Sequence, residues 1–227
     1  MRGKFITFEG GEGTGKSTQA AMLALRLEAI GLAVHLTREP GGSPGAEIIR
    51  HVLLSGAAKP FGPDVEAMLF AAARDDHVQC AILPALNAGK WVICDRFADS
   101  TRVYQGILGQ VDQRLIKGLE RVSIGDLAPD LTLVLDVPVE LGLERVKLRR
   151  GEAAADRFEA ENVEFHQKLR EAYLAIAVAE PERCVVVDAG VPKEAVARKI
   201  WNAVGARLDP LTYPVAGERL RSEVGAS

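Results

Sequence analysis

Cysteine is scarce in this 227-residue chain, and the three present, Cys80, Cys94 and Cys184, are far apart in apolar segments. That odd number and wide spacing argue against a disulfide framework and against a zinc site, and they fit a reducing, cytoplasmic compartment. Excess charge is also missing: the formal net charge is -3 and the basic residues come in small groups. A nucleic-acid surface is therefore not expected as the main partner. No apolar run reaches the roughly 18 residues of a membrane span. The opening MRGKFITFEG enters a strand-like segment without an apolar leader region, so a soluble chain with no membrane partner is expected. There is no internal repeat and no low-complexity segment. What the chain does have is 48% apolar content, enough for a full core in one large domain.

Short apolar runs rich in β-branched residues recur: KFITF from Lys4, AVHLT from Ala33, WVICD from Trp91, LTLVLDV from Leu131 and CVVVDA from Cys184. Runs that are apolar on both faces read as buried parallel strands. Helical patterns lie between them; one runs from Ser17 to Ile30 and stops at Gly31, and another opens at Pro138. The expected fold is α/β, three layers, with about five parallel strands covered by helices on both faces. Residues 1–208 form the domain. RRGEAAADR has no apolar stripe, so residues about 148–158 read as a mobile lid. Residues 209–227 contain two prolines, lose periodicity and read as an appended tail.

The densest chemistry is in EGGEGTGKST, which packs four glycines and then a lysine directly after an apolar strand. Gly10, Gly15, Lys16 and Ser17 match the phosphate-binding loop, in which consecutive backbone N–H groups wrap a phosphate at a helix N-terminus. A glycine-rich turn is the plain alternative, and the strand before and helix after count against it. Lys16 suits β and γ phosphates, and the Ser17 hydroxyl suits Mg²⁺. Asp95 ends the WVICD strand and delivers a carboxylate to the same sheet edge, for a role on the magnesium side or as a turn cap. REPGGSPG, from Arg38, is a turn-rich loop at a strand's carboxyl end, where ligands sit in such sheets. DRFADSTRVYQG crowds Arg96, Ser100, Thr101, Tyr104 and Gln105 beyond Asp95, which suggests a second polar ligand. Arg96 could hold its phosphate through a planar fork or be a surface arginine. Phe70 and Arg74 are four apart and share a helix face, where ring and guanidinium can hold a base; Phe70 alone would read as core.

FEGGEGTGKST, TREPGG, LFAAAR, DRFADSTRVYQG, LDV and DRFE, in this order, make residues 4–208 resemble the bacterial thymidylate kinases, a P-loop nucleoside monophosphate kinase family. The phosphate loop is shared by many families; TREPGG followed by DRF and YQG is specific. The resemblance implies transfer of a phosphoryl group from ATP to dTMP with Mg²⁺, by a homodimer whose interface lies near the helices after FGPDVEAMLF. It implies that Gly10, Gly11, Glu12, Gly13, Thr14, Gly15, Lys16, Ser17 and Thr18 bind ATP. Glu12 would also meet the sugar 3'-hydroxyl. Phe70 would stack on thymine, Arg74 would donate to its O4, and Arg96 and Arg38 would hold the acceptor phosphate. Tyr104 would lie against C2', Ser100 would add a donor, and Thr101 and Gln105 would approach the base. Ser17 and Asp95 are the expected metal ligands, and Lys16, Asp95, Arg96, Arg149 and Arg150 the expected catalytic set. Residues 188–192 would lie against adenine, and Glu159 resembles an acidic position near the lid.

Some members of that family carry an arginine inside the phosphate loop, whereas here the position is Gly13, and arginines crowd residues 149–157 instead. This resembles the subtype whose lid supplies the catalytic cation. The alternatives are a P-loop kinase for another monophosphate, or a nucleotide-dependent switch; the latter lacks an Asn-Lys-x-Asp stretch for reading guanine. The four histidines, His35, His51, His77 and His166, are given no catalytic role.

Overall fold

A computed structural model of the chain describes residues 2–150 and 161–213, with Arg150 described by its backbone only. Five strands, β1 (Phe5–Glu9), β2 (Val34–Arg38), β3 (Trp91–Asp95), β4 (Leu131–Asp136) and β5 (Cys184–Asp188), form one sheet. Every pairing is parallel and the order is β2-β3-β1-β4-β5. The strand order reverses at β1, which puts a crevice beyond its carboxyl end. The three central strands are buried along nearly their whole length. AVHLT and CVVVDA read as buried on both faces but form the two edges, and β2 is only partly covered. Its polar residues His35, Thr37 and Arg38 fit that edge place.

Nine α-helices are described: α1 (Lys16–Ala29), α2 (Pro44–Leu54), α3 (Gly62–His77), α4 (Leu83–Asn87), α5 (Ala98–Thr101), α6 (Gln113–Ile124), α7 (Val139–Arg150), α8 (Val163–Ala179) and α9 (Lys193–Leu208). Strand residues alternate between faces. Ile6 and Phe8 of β1 enter the core beneath α1 and α9, while Phe5 joins Val78, Ile82 and Phe97 in the core on the opposite face. Thr7 and Glu9 also point to that second side, where Thr7 hydrogen bonds to Thr132 at 2.8 Å. Two π-helical stretches widen the helical turn, Val78–Ile82 after α3 and Arg102–Leu108 after α5, and the second borders the crevice.

The packed body runs past Leu208. Tyr213 sits edge-on to Trp91 with ring centroids 5.4 Å apart, and its hydroxyl donates to the Arg2 carbonyl. The part of the expected lid beyond Arg150, with Arg157 and Glu159, and the part of the expected tail beyond Tyr213 lie outside the described residues.

Candidate active site

The phosphate loop begins where β1 ends. Gly10, Gly13 and Gly15 hold φ of 132°, 69° and 90°, values that side chains resist. Gly13 is also pressed by α7: a Cβ there would come 2.0 Å from the Gly142 carbonyl oxygen. The first turn of α1 contains no acidic side chain, so its N-terminal amides and dipole are open to an anion. Lys16 folds back over the loop and donates to the carbonyls of Gly10 at 3.1 Å and Gly11 at 2.7 Å. Burial first, then Arg96, push its ammonium down to about 8 against the pull of Glu12, Asp95 and Glu9. The Ser17 hydroxyl donates to Asp95 Oδ2 at the end of β3, which brings the two expected metal-side oxygens together.

Arg96 follows immediately with φ 71°, a left-handed backbone that is uncommon for a side chain. Its Nη1 donates to the Gly10 carbonyl at 3.1 Å, the Tyr173 hydroxyl at 3.0 Å and Ser100 Oγ at 3.3 Å. Its Nη2 donates to Glu12 Oε1 at 2.6 Å, and the Tyr104 hydroxyl donates to the same oxygen at 2.8 Å. Burial alone would raise the Glu12 carboxyl, but Arg96, then Lys16 and the Tyr104 hydroxyl, hold it at about 2. Beneath this pair Glu9 is fully buried and accepts from the Phe97 N–H at 2.8 Å and the Ser100 hydroxyl at 2.7 Å. Burial, then the Asp99 charge, push the Glu9 carboxyl up to about 7.

At the other end Arg74 is buried, donating Nε to Glu39 at 2.7 Å and Nη2 to the Phe97 carbonyl at 3.2 Å and Thr101 Oγ1 at 3.0 Å. Those three bonds leave its Nη1 without a partner among the described residues. Arg38 is half exposed and meets Glu47 at 3.0 Å.

One cavity of about 460 Å³ joins these parts, a size suited to a small-molecule site. Glu12, Gly13, Gly15, Lys16, Ser17 and Thr18 line it from the loop, and Arg38, Asp95 and Arg96 from the strand ends. Phe70 and Arg74 line it from α3; Ser100 and Thr101 from α5; and Tyr104 and Gln105 from the π-helical turn. Arg149, at the end of α7, closes the set. Gly10, Gly11 and Thr14 do not reach this cavity. They line a separate space of about 20 Å³ behind the loop, with His166, Arg170 and Tyr173. Residues 188–192 leave β5 next to α7, where Arg145 donates to the Ala189 carbonyl at 3.0 Å. The side chain of Arg150 lies outside the described residues.

Sequence reasoning missed several participants. Glu39 and Pro40 line the cavity, as does Arg50, which donates to the Pro40 carbonyl. Glu39 was visible inside TREPGG, and Glu9 ends an apolar strand much as Asp95 does. Arg50 carries no local signal; only the packing of α2 brings it there.

Residues 8–200 match the family described as thymidylate kinase. A thymidylate kinase of Nitrobacter winogradskyi is 63% identical over 207 residues, covering 91% of this chain and 90% of the relative. One from a Bradyrhizobium strain, ORS 278, is 61% identical over 207 residues, covering 91% and 92%. Another, from Rhodopseudomonas palustris strain BisB18, is 62% identical over 208 residues, covering 91% and 90%.

Proposed function

This chain belongs to the thymidylate kinase family, and from that premise we propose that it phosphorylates dTMP to dTDP in the 460 Å³ cavity, with ATP as donor. The observation that carries the reading is the continuity of that cavity from Lys16 at the phosphate loop to Arg74 and Phe70 on α3. Two anionic ligands laid end to end need this shape. Phosphoryl transfer is mostly positioning and charge neutralisation, and the attacking oxygen is the acceptor's own phosphate oxygen. No protein nucleophile is required.

The loop amides and Lys16 hold the ATP phosphates. Arg96 and Arg38 hold the dTMP phosphate, and the Arg96–Glu12 pair opens or is shared as substrate arrives. Glu12 accepts from the sugar 3'-hydroxyl, since an ionised carboxylate only accepts. Tyr104 packs against C2', Phe70 against the ring, and Thr101 and Gln105 flank the base. Arg74 offers Nη1 to O4.

The paired oxygens of Ser17 and Asp95 fit Mg²⁺, a hard cation that takes one or two protein ligands alongside substrate phosphates. Mg²⁺ bound there would neutralise phosphate charge. A homodimer in the cytoplasm completes the reading; exposed Ile48 and Val52 on α2 and Met68 on α3 offer apolar surface for an interface.

An ADP-release assay across nucleoside monophosphates tests it. Arg74 cannot accept a hydrogen bond, so the N4 amine of cytosine leaves it unpaired. We expect dTMP to exceed dCMP in kcat/KM by about 10⁴-fold, and dUMP by much less, since one methyl is worth about 1 to 3 kcal/mol. Comparable values for dCMP and dTMP would sink the reading of the base site.

A further inference from the structure

Beyond the cavity wall the hydrogen bonds do not stop at Arg74. Glu39 takes Arg74 Nε on Oε2 at 2.7 Å, and on Oε1 it takes His77 Nδ1 at 3.0 Å. His77 Nε2 meets the Thr37 hydroxyl at 2.7 Å. Arg74, Glu39 and His77 are all buried, with side-chain exposures of 2%, 4% and 0%. The chain of bonds runs from β2 through the strand-end loop to α3, where Arg74 and His77 are three apart and so on one face. The Glu39 N–H is itself held by the Asp95 carbonyl at 2.9 Å.

We propose that His77 is a positioning residue for base selection: through Glu39 it fixes the edge of Arg74, so that Nη1 alone faces the base carbonyl. The inference rests on the reading of Arg74 given above. A carboxylate held by one arginine only can turn about its last torsion, and the Arg74 guanidinium then keeps only its Nη2 bonds to the Phe97 carbonyl and Thr101 as a pivot. Held on both oxygens, it is locked. Glu39 is an acceptor, so Nδ1 carries the hydrogen, and the Thr37 hydroxyl is then free to donate to Nε2; a single tautomer serves both contacts. Gly42, with φ 87°, leaves room for that second contact, since a Cβ there would come 2.4 Å from both His77 Nε2 and Thr37 Oγ1. His77 does not line the cavity, touches no reacting atom and is not a catalytic residue. Partners that orient metal ligands change affinity or activity by about 10- to 100-fold when lost, and an effect at the lower end of that range is expected here.

The test measures kcat/KM for dTMP and dCMP on one preparation of each variant. A merely structural role would lower both through the fraction of folded enzyme and leave their ratio alone. We expect His77→Leu to reduce the dTMP-to-dCMP ratio about tenfold, mainly through a raised KM for dTMP. His77→Asn, whose amide can still donate to Glu39, should recover most of the ratio. His77→Gln, whose amide reaches toward Thr37 instead, should not. Asn and Gln are both polar replacements, so the contrast survives if His77→Leu fails to fold. An unchanged ratio in the folded His77 variants, or equal ratios for Asn and Gln, would overturn the inference. Arg74→Lys in the same assay separates the two claims. If it leaves the ratio intact, the reading of Arg74 itself falls. If it collapses the ratio while the His77 variants do not, only the His77 proposal is lost.

Discussion

Glu9 at the end of β1 and Lys16 at the start of α1 are both buried ionisable side chains, and burial pushes each toward its neutral form. Their uses differ. Lys16 folds onto the Gly10 and Gly11 carbonyls, bonds that a phosphate group can replace. Charge moves onto the bridging oxygens during transfer, so Lys16→Ala should lower kcat far more than it changes dTMP binding. A variant with normal turnover would contradict the phosphate-loop assignment. Glu9 meets only protein, and its carboxyl lies at about 7 against an ordinary 4.5. A carboxyl raised on folding stabilises the fold fully below about 4.5 and loses that contribution as pH rises through about 7. Each tenfold difference in proton affinity is worth about 1.4 kcal/mol. Glu9→Gln, which keeps an acceptor for the Phe97 N–H, should therefore show a smaller loss of unfolding free energy from pH 5 to pH 8 than the wild type, read by urea titration. Equal losses would remove Glu9 as the source. Lys16 was legible in the sequence because its chemistry depends on spacing from Gly15 and Ser17. The pairings of Glu9, Glu39 and His77 were not, because their partners are Ser100, Arg74 and Thr37, distant in sequence and joined only by the fold.

Between elements, the closest approach at the site is α7 against the phosphate loop. Gly142 packs so near that a Cβ on it would stand 2.6 Å from the Glu12 carbonyl oxygen, the mirror of the contact at Gly13. Two glycines thus let a helix lie directly on a loop. Gly13→Ala would both force a side chain into φ 69° and push the Gly142 carbonyl. We expect it to lower the thermal midpoint by several degrees, since about 1 kcal/mol moves a domain of this size by roughly 2–4 °C, and to weaken ATP binding. Gly205, on α9 with open space around it, is the control, and Gly205→Ala should leave ATP affinity unchanged. Equal effects at the two positions would refute the packing argument. The strands were legible to within a residue or two because their apolar runs are short and bounded. The edge place of β2 and β5 was not, since edges depend on strand order and not on a strand's own residues. The π-helical turn that aims Tyr104 and Gln105 was hidden too, as nothing in RVYQG marks a widened turn.

Across the whole molecule a net charge of -3 coexists with a cavity lined by Lys16 and five arginines against Glu12, Glu39 and Asp95. Arg74 holds Glu39, Arg96 holds Glu12, Arg38 meets Glu47 and Arg50 caps the Pro40 carbonyl. The phosphate loop cannot add a cation of its own at position 13, because α7 occupies the space a side chain would need. We propose that a second cation for the transferring group comes from the end of α7, where Arg149 lines the cavity and leads into Arg150. On that proposal the same helix that forbids a loop arginine carries its replacement. Arginines supplied in this way are worth roughly 10³ to 10⁵ in kcat, against about 0 to 1 kcal/mol for a solvated surface pair. We predict that Arg149→Ala, or failing that Arg150→Ala, lowers kcat at least about a hundredfold while dTMP dissociation changes little, because the contact forms over the transferring phosphate. Single-turnover rates and direct dTMP titration separate the two effects. If alanine at Arg149, Arg150 and Arg157 together left kcat within a few-fold of wild type, the second cation would have to be Arg38 or Arg96, released from Glu47 or Glu12 when the substrates bind.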